Sequence, residues 1–276
     1  MSLTFFDWDD TFLCSTFLDE KKISCTDDET LSDNLRCVLK LTSQIIEKII
    51  IKAKEKGPVY IVTNSSETWI DISTKKYYPS LVDLINNTTH ISAQTLYSME
   101  YPFNPFFWKF RTFETCLLKE SSKLYQNNIG FSFDDFWDFN KTKHMLNIIS
   151  IGDAMWERDA IFTLSRKYLD RVSHTKSIKM AGTPSPLHIL YELKLLYEKM
   201  DEIYDVNTDL DLMLTIVPLL NENTIYSTLV ESIDEKKFED DKTIFEIITK
   251  TIDSGIKNVL ASTLFDKDVK ETNVTV

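Results

Sequence analysis

Three short apolar runs punctuate the chain, and each stops abruptly at a polar residue. The first, Leu3 to Phe6, is closed by Asp7; the second, Val59 to Val62, by Thr63 and Asn64. The third, Met145 to Ile151, ends in Gly152 and Asp153. Continuous apolar runs of this length predict parallel strands buried on both faces. Between the first two runs, Leu31, Leu35, Val38, Leu39, Leu41, Ile45, Ile46, Ile49 and Ile50 recur with a helical period. They predict a helix over Thr30 to Lys56, stopped by Gly57-Pro58. Strand, helix, strand at this spacing is a βαβ unit with a right-handed crossover.

The rest of the chain continues the alternation. Residues 12 to 28 read as a loop or small flap over the mouth of the first strand, and Glu67 to Asn86 as one or two helices. His90 to Ala93 is short enough for a third strand. A helix from Phe106 to about Tyr125 places Trp108, Phe113, Cys116 and Leu117 on its apolar side, and residues 126 to 140 read as a loop. Met155 to Lys167 predicts a helix, Thr175 to Met180 a strand, and Pro186 to about Tyr204 a long helix carrying Leu190, Leu193, Leu196, Tyr197 and Met200 on one face. Further helical segments are expected around Leu210 to Leu220 and Ile244 to Leu264, with Asp234 to Asp241 as a solvated linker. The expected fold is α/β: a Rossmannoid three-layer αβα sandwich with a parallel sheet and a minimal cap. Residues 1 to 182 would form the core, and 183 to 276 a C-terminal helical extension packing on or beside it.

Composition narrows the function. A chain of 276 residues, 43% hydrophobic, has enough apolar surface for a real core. A formal net charge of -12 argues against nucleic acid, whose phosphate backbone needs a basic stripe. Cys14, Cys25, Cys37 and Cys116 fit neither zinc spacing nor a small disulfide scaffold, and read as reduced thiols. The amino terminus lacks the basic start and apolar stretch of a signal peptide, and no apolar run approaches the ~20 residues of a membrane span. A cytoplasmic protein is expected, with the nucleus also open to it and no membrane partner. The scattered histidines His90, His144, His174 and His188 show no metal spacing and read as structural.

A parallel sheet gathers the carboxyl ends of its strands on one edge, where open α/β sheets bind ligands. At that edge Asp7 and Asp9 are one residue apart. In a partly dry crevice such carboxylates repel unless a cation joins them or one takes a proton. The pair reads as a metal site, a nucleophile with a proton shuttle, or both. Taken singly, the competing readings are plain: Thr63 and Asp153 as helix caps, Lys109 as a surface lysine, Asp7 and Asp9 as an acidic turn.

Taken in order, the residues resemble the haloacid dehalogenase superfamily of Mg²⁺-dependent phosphohydrolases. Asp7-Trp8-Asp9-Asp10-Thr11 looks like its first motif, Val62-Thr63-Asn64 its second, Trp108-Lys109 its third, and Gly152-Asp153 through Glu157 its fourth. Lys141 and Lys143 are alternative third-motif lysines, and Asp159 competes with Glu157. The combination is similar to a little-characterised branch in plants, fungi and protists. The resemblance implies Asp7 as nucleophile, Asp9 as general acid and base, and Lys109 with Thr63 orienting the phosphoryl oxygens. It places Asn64 and Thr11 on the substrate side, and implies Mg²⁺ held by Asp7, Asp9 through its backbone carbonyl, Asp153 and Glu157. Neither gap between motifs holds a separate cap, so an open site facing a phosphoprotein or a small phosphoester is expected. The contrasting expectation is a binding or regulatory protein that keeps the fold and meets a protein partner through its C-terminal helices.

Overall fold

The computed structural model describes residues 1–24, 31–127, 145–215 and 272–275. Strand β1 (Ser2–Phe6) is buried along its whole length and sits inside the sheet. On one side it pairs with β2 (Val59–Thr63), which pairs with β3 (Thr89–Ser92). On the other side lie β4 (Leu146–Gly152), β5 (Val172–Lys179), β6 (Leu210–Thr215) and the short edge strand β7 (Thr272–Thr275). Every pairing is parallel. The first six strands therefore run in the order 321456, as expected for a Rossmann-like three-layer sandwich.

Alternation along the central strands builds two cores. Phe6, Ile61, Ile149 and Ile151 face α2 (Asp33–Lys56) and α8 (Pro186–Asp205). Leu3, Phe5, Tyr60, Val62 and Ile148 face α6 (Pro105–Asn127) and α7 (Met155–Lys167). With both faces covered, the strands can be apolar at nearly every position. Helix α2 starts where Ser32 accepts from the Leu35 amide, and it ends at Gly57, whose φ is +149°. A Cβ at Gly57 would stand 2.1 Å from the Ser2 carbonyl oxygen, so only glycine lets the chain turn this close to β1.

The predicted strands and the helices over 33–56, 105–127, 155–167 and 186–205 are present, with ends shifted by a few residues. The Glu67 to Asn86 stretch holds two α-helices, α3 (Trp69–Tyr77) and α4 (Val82–Asn86), joined by one 3₁₀ turn. Two short helices were not foreseen: α1 (Ser15–Glu20), inside the expected flap, and α5 (Ala93–Tyr97).

One element is corrected. Leu210 to Thr215, expected to begin a helix, is strand β6 paired with β5. Leu-Asp-Leu-Met-Leu-Thr alternates with period two, and the open edge of β5 rewards that period by burying Leu210 and Leu214. Residues 216–220, the segments 234–241 and 244–264, the expected loop over 128–140, Lys141, Lys143, His144 and Cys25 lie outside the described residues. Cys14, Cys37 and Cys116 are free thiols. No helix among the described residues is long and apolar enough to cross a membrane.

Candidate functional site

The chain runs outward from β1 to β2 and β3, then returns to add β4 on β1's other flank. At such a reversal the loops leaving neighbouring strands diverge, opening a crevice at the carboxyl ends of β1 and β4. Asp7 stands at that point, its amide donating to the Ile151 carbonyl at 2.8 Å. Asp153 leaves β4 immediately after Gly152, and Glu157 lies in the first turn of α7. One carboxylate oxygen from each of Asp7, Asp153 and Glu157 falls within 4.8 Å of the others. Gly152 makes this approach possible: a Cβ there would meet the Glu157 Cγ at 2.8 Å.

Lys109 enters from the second turn of α6, with only 1% of its surface exposed. Its Nζ donates to Asp7 Oδ1 at 2.7 Å and to the Val62 carbonyl at 2.5 Å, and pairs with Glu157 Oε1 at 3.0 Å. Asp7 Oδ1 also accepts from the Trp8 amide at 2.8 Å. Two of the three carboxylates, Asp7 and Glu157, thus share one buried ammonium, with Asp153 beside them. Burial pushes the Asp7 carboxyl well up, against Lys109, and Glu157, Asp153 and Asp9 add to the rise. Burial, then Glu157 and Asp10, push Asp153 up to about 7. Burial alone would lower the Lys109 ammonium, but Asp7 and Glu157 outweigh it and hold it up at about 12.

Asp9 stands apart from this group. Thr63 Oγ1 and Ser65 Oγ donate to its Oδ2 at 2.8 and 2.9 Å, and Trp69 Nε1 donates to its Oδ1 at 2.7 Å. Asp9 is thus held by three donors and is not one of the grouped carboxylates Asp7, Asp153 and Glu157, although it lines the same cleft and adds to the rise at Asp7. Thr63 is tied to Asp9 and accepts from the Ser65 amide at 2.9 Å. Asn64 lines the cleft, with no hydrogen-bond partner for either side-chain amide atom among the described residues. Thr11 is fully buried and is not among the cleft's lining residues. Asp159, the competing acid, is more than half exposed and pairs with Arg158 at 3.2 Å, whereas Glu157 is 2% exposed within the group.

The cleft over these residues encloses ≈ 490 Å³ and is also lined by Asp10, Thr16, Asp19, Ser65, Trp69 and Trp156. Sequence reasoning missed Ser65 and Trp69. Only their place after the second strand, on the turn leading into α3, hinted at them. Asp10 has a positive φ of 50° and is anchored by the Thr16 amide at 3.0 Å and by the Thr16 hydroxyl. It shapes the loop that carries Asp9.

Three carboxylates in one dry spot are a hard-oxygen donor set of the kind Mg²⁺ or Mn²⁺ takes. Glu157 Oε2 lacks any partner among the described residues, so an ion would answer a demand the protein leaves open. Fold and site together define a Rossmann-like α/β protein with a buried acidic group able to hold a metal ion. Comparison with family models, with curated proteins and with solved structures finds no match to the chain.

Proposed function

We propose that the protein is a Mg²⁺-dependent phosphohydrolase of the haloacid dehalogenase type, working through an aspartyl-phosphate on Asp7. The observation that carries this reading is the single contact between Lys109 and Asp7, inside a group of three carboxylates, at the carboxyl end of the central strand. A carboxylate nucleophile must be ionised, yet burial and its neighbours raise Asp7. A divalent ion held by Asp7, Asp153 and Glu157 would restore the ionised form and offset charge on the phosphoryl oxygens.

In the first step an Asp7 carboxylate oxygen attacks phosphorus in line, and the bond from phosphorus to the ester oxygen breaks. Asp9 delivers its proton to the departing oxygen, which leaves as the alcohol. In the second step water attacks phosphorus, the bond from Asp7 to phosphorus breaks, and Asp9 takes the water's proton. Inorganic phosphate leaves and both aspartates are restored. Lys109 keeps Asp7 in place and neutralises the phosphoryl group; Thr63 acts by steadying Asp9, and Asn64 offers its unpartnered amide to the substrate. An open cleft suits a phosphorylated protein or a small phosphoester.

The test is hydrolysis of an aryl phosphate with and without Mg²⁺, in wild type, Asp7→Asn and Asp9→Asn. Turnover in wild type that needs the metal, and is lost in both variants, supports the reading. Hydrolysis surviving in Asp7→Asn would refute the covalent route. No metal-dependent turnover in the wild type on a panel of phosphoesters would refute the activity and leave a binding protein.

A further inference from the structure

Asp9 and the loop that carries it are held by two indoles on α3's side of the site. Trp69, the first residue of α3, donates its Nε1–H to Asp9 Oδ1 at 2.7 Å and presents part of its ring to the cleft. Trp8, between Asp7 and Asp9, is fully buried and donates its Nε1–H to Ser73 Oγ at 2.9 Å. Ser73 Oγ donates in turn to the Trp69 carbonyl at 2.7 Å. The chain of contacts runs from Trp8 through Ser73 and Trp69 back to Asp9, and closes on the Asp7-Trp8-Asp9 loop where it began.

We infer that Trp69 is a positioning residue: its indole N–H fixes the Asp9 carboxylate within the cleft it shares with Asp7 and Asp153, apart from the three carboxylates that would hold a metal. The inference rests on the phosphohydrolase reading for its catalytic consequence, and on geometry alone for the contact. Without the indole, rotation about the Asp9 side chain would bring a fourth carboxylate toward Asp7, Asp153 and Glu157, where a cation would capture it. Thr63 and Ser65 hold only Oδ2, so they leave the plane of the carboxylate free to turn about their two bonds. A rigid aromatic donor on the opposite oxygen removes that freedom. Phenylalanine at 69 keeps the ring's shape and removes only the donor.

The consequence is specific to proton delivery. A nitrophenolate leaves without help, whereas an alkoxide needs the proton from Asp9. Because Asp9 takes the water's proton whichever ester is used, the contrast is read on the first step. Trp69→Phe should lower the pre-steady-state rate of ester cleavage roughly tenfold or more on an alkyl phosphate and under about threefold on p-nitrophenyl phosphate. Equal losses on the two esters, or none, would overturn the inference while leaving the phosphohydrolase reading intact. Failure of the wild type to hydrolyse either ester would defeat that reading instead, and a second measurement still decides the contact. In a ¹H–¹⁵N spectrum of the full chain, the Trp69 indole resonance, one of five and identified by its loss in Trp69→Phe, should shift upfield and exchange faster with water in Asp9→Ala. An unchanged resonance would show that the indole does not hold Asp9.

Discussion

Two lysines are buried in the sandwich, and they are satisfied in opposite ways. Lys176 on β5 is fully buried and donates to three main-chain carbonyls, Ile203, Tyr204 and Val206, at 2.6, 3.1 and 2.7 Å. These close the C-terminal end of α8, where carbonyls lack partners within the helix. Burial draws the Lys176 ammonium down to about 8, against Asp205 and Asp209, and among the described residues its hydrogen bonds go to carbonyls rather than to a carboxylate. Lys109 instead meets two carboxylates and one carbonyl, with Asp153 close by. Around Lys176 polar demand is met and nothing more can be added. Around Lys109 three carboxyl groups face a single ammonium, and a divalent cation is the natural complement. A buried charge that is fully satisfied is architecture; one embedded in surplus opposite charge is a site.

The largest effect should separate these roles. Lys109→Met is expected to lower kcat on an aryl phosphate by about 10²–10³-fold at saturating Mg²⁺, the scale of losing one preorganised donor. Lys176→Met should leave kcat near wild type; a comparable loss there would erase the contrast. Next in size, Lys176→Met should cost about 3 kcal/mol of stability, read from the urea midpoint, because it strands three helix-end carbonyls. A midpoint equal to wild type would show that water replaces the ammonium there.

The third effect is metal linkage. Mg²⁺ at about one hundred times its Kd should stabilise wild type and Lys176→Met by about 2.7 kcal/mol, and leave Asp153→Asn unmoved. The same shift in Asp153→Asn would place the ion elsewhere.

A fourth effect concerns Glu192 on α8, buried near Lys179 and Asp153, with the Ala181 amide donating to its Oε1 at 3.0 Å. Burial chiefly raises its carboxyl from 4.5 to about 8. A group whose folded value is raised stabilises the fold most below its unfolded value, and that contribution is lost as pH climbs through the folded value. From about pH 6 to pH 8 the wild type should therefore lose about 2 kcal/mol relative to Glu192→Gln, in parallel denaturant titrations. Parallel curves would show that Glu192 ionises as freely folded as unfolded. The smallest effect belongs to the exposed pairs Lys52–Asp201 and Lys56–Asp205 that link α2 to α8. Lys52→Ala should shift Tm only slightly, and less still in high salt, because exposed pairs gain little and are screened.

Much of this arrangement can be read from the residues, for physical reasons. The central strands are apolar on both faces, and the points where that pattern breaks at Asp7, Thr63 and Asp153 are the points where the chain leaves the sheet at one edge. That break is local, so the sequence carries it. Lys109 was legible only through its neighbour Trp108 and its distance from the other motifs, since a lysine pointing inward from a helix has no local signature. Glu157 against Asp159 was undecidable in one dimension; the missing Cβ of Gly152 and the rotation of α7 choose Glu157. Ser65 and Trp69 were invisible, because their role is a contact across 56 and 60 positions that no short-range pattern encodes. Strand β6 was misjudged because Leu-Asp-Leu-Met-Leu-Thr suits either period, and the exposed edge of β5 decides between them.

The central claim is that the surplus carboxylates around Lys109 hold one divalent cation. Calorimetric titration of Mg²⁺, and of Mn²⁺, into the full-length chain tests it most directly, with Asp153→Asn alongside. The expected result is one ion per chain in the wild type and its loss in the variant. Equal binding by both proteins, or none by the wild type with either metal, would contradict it.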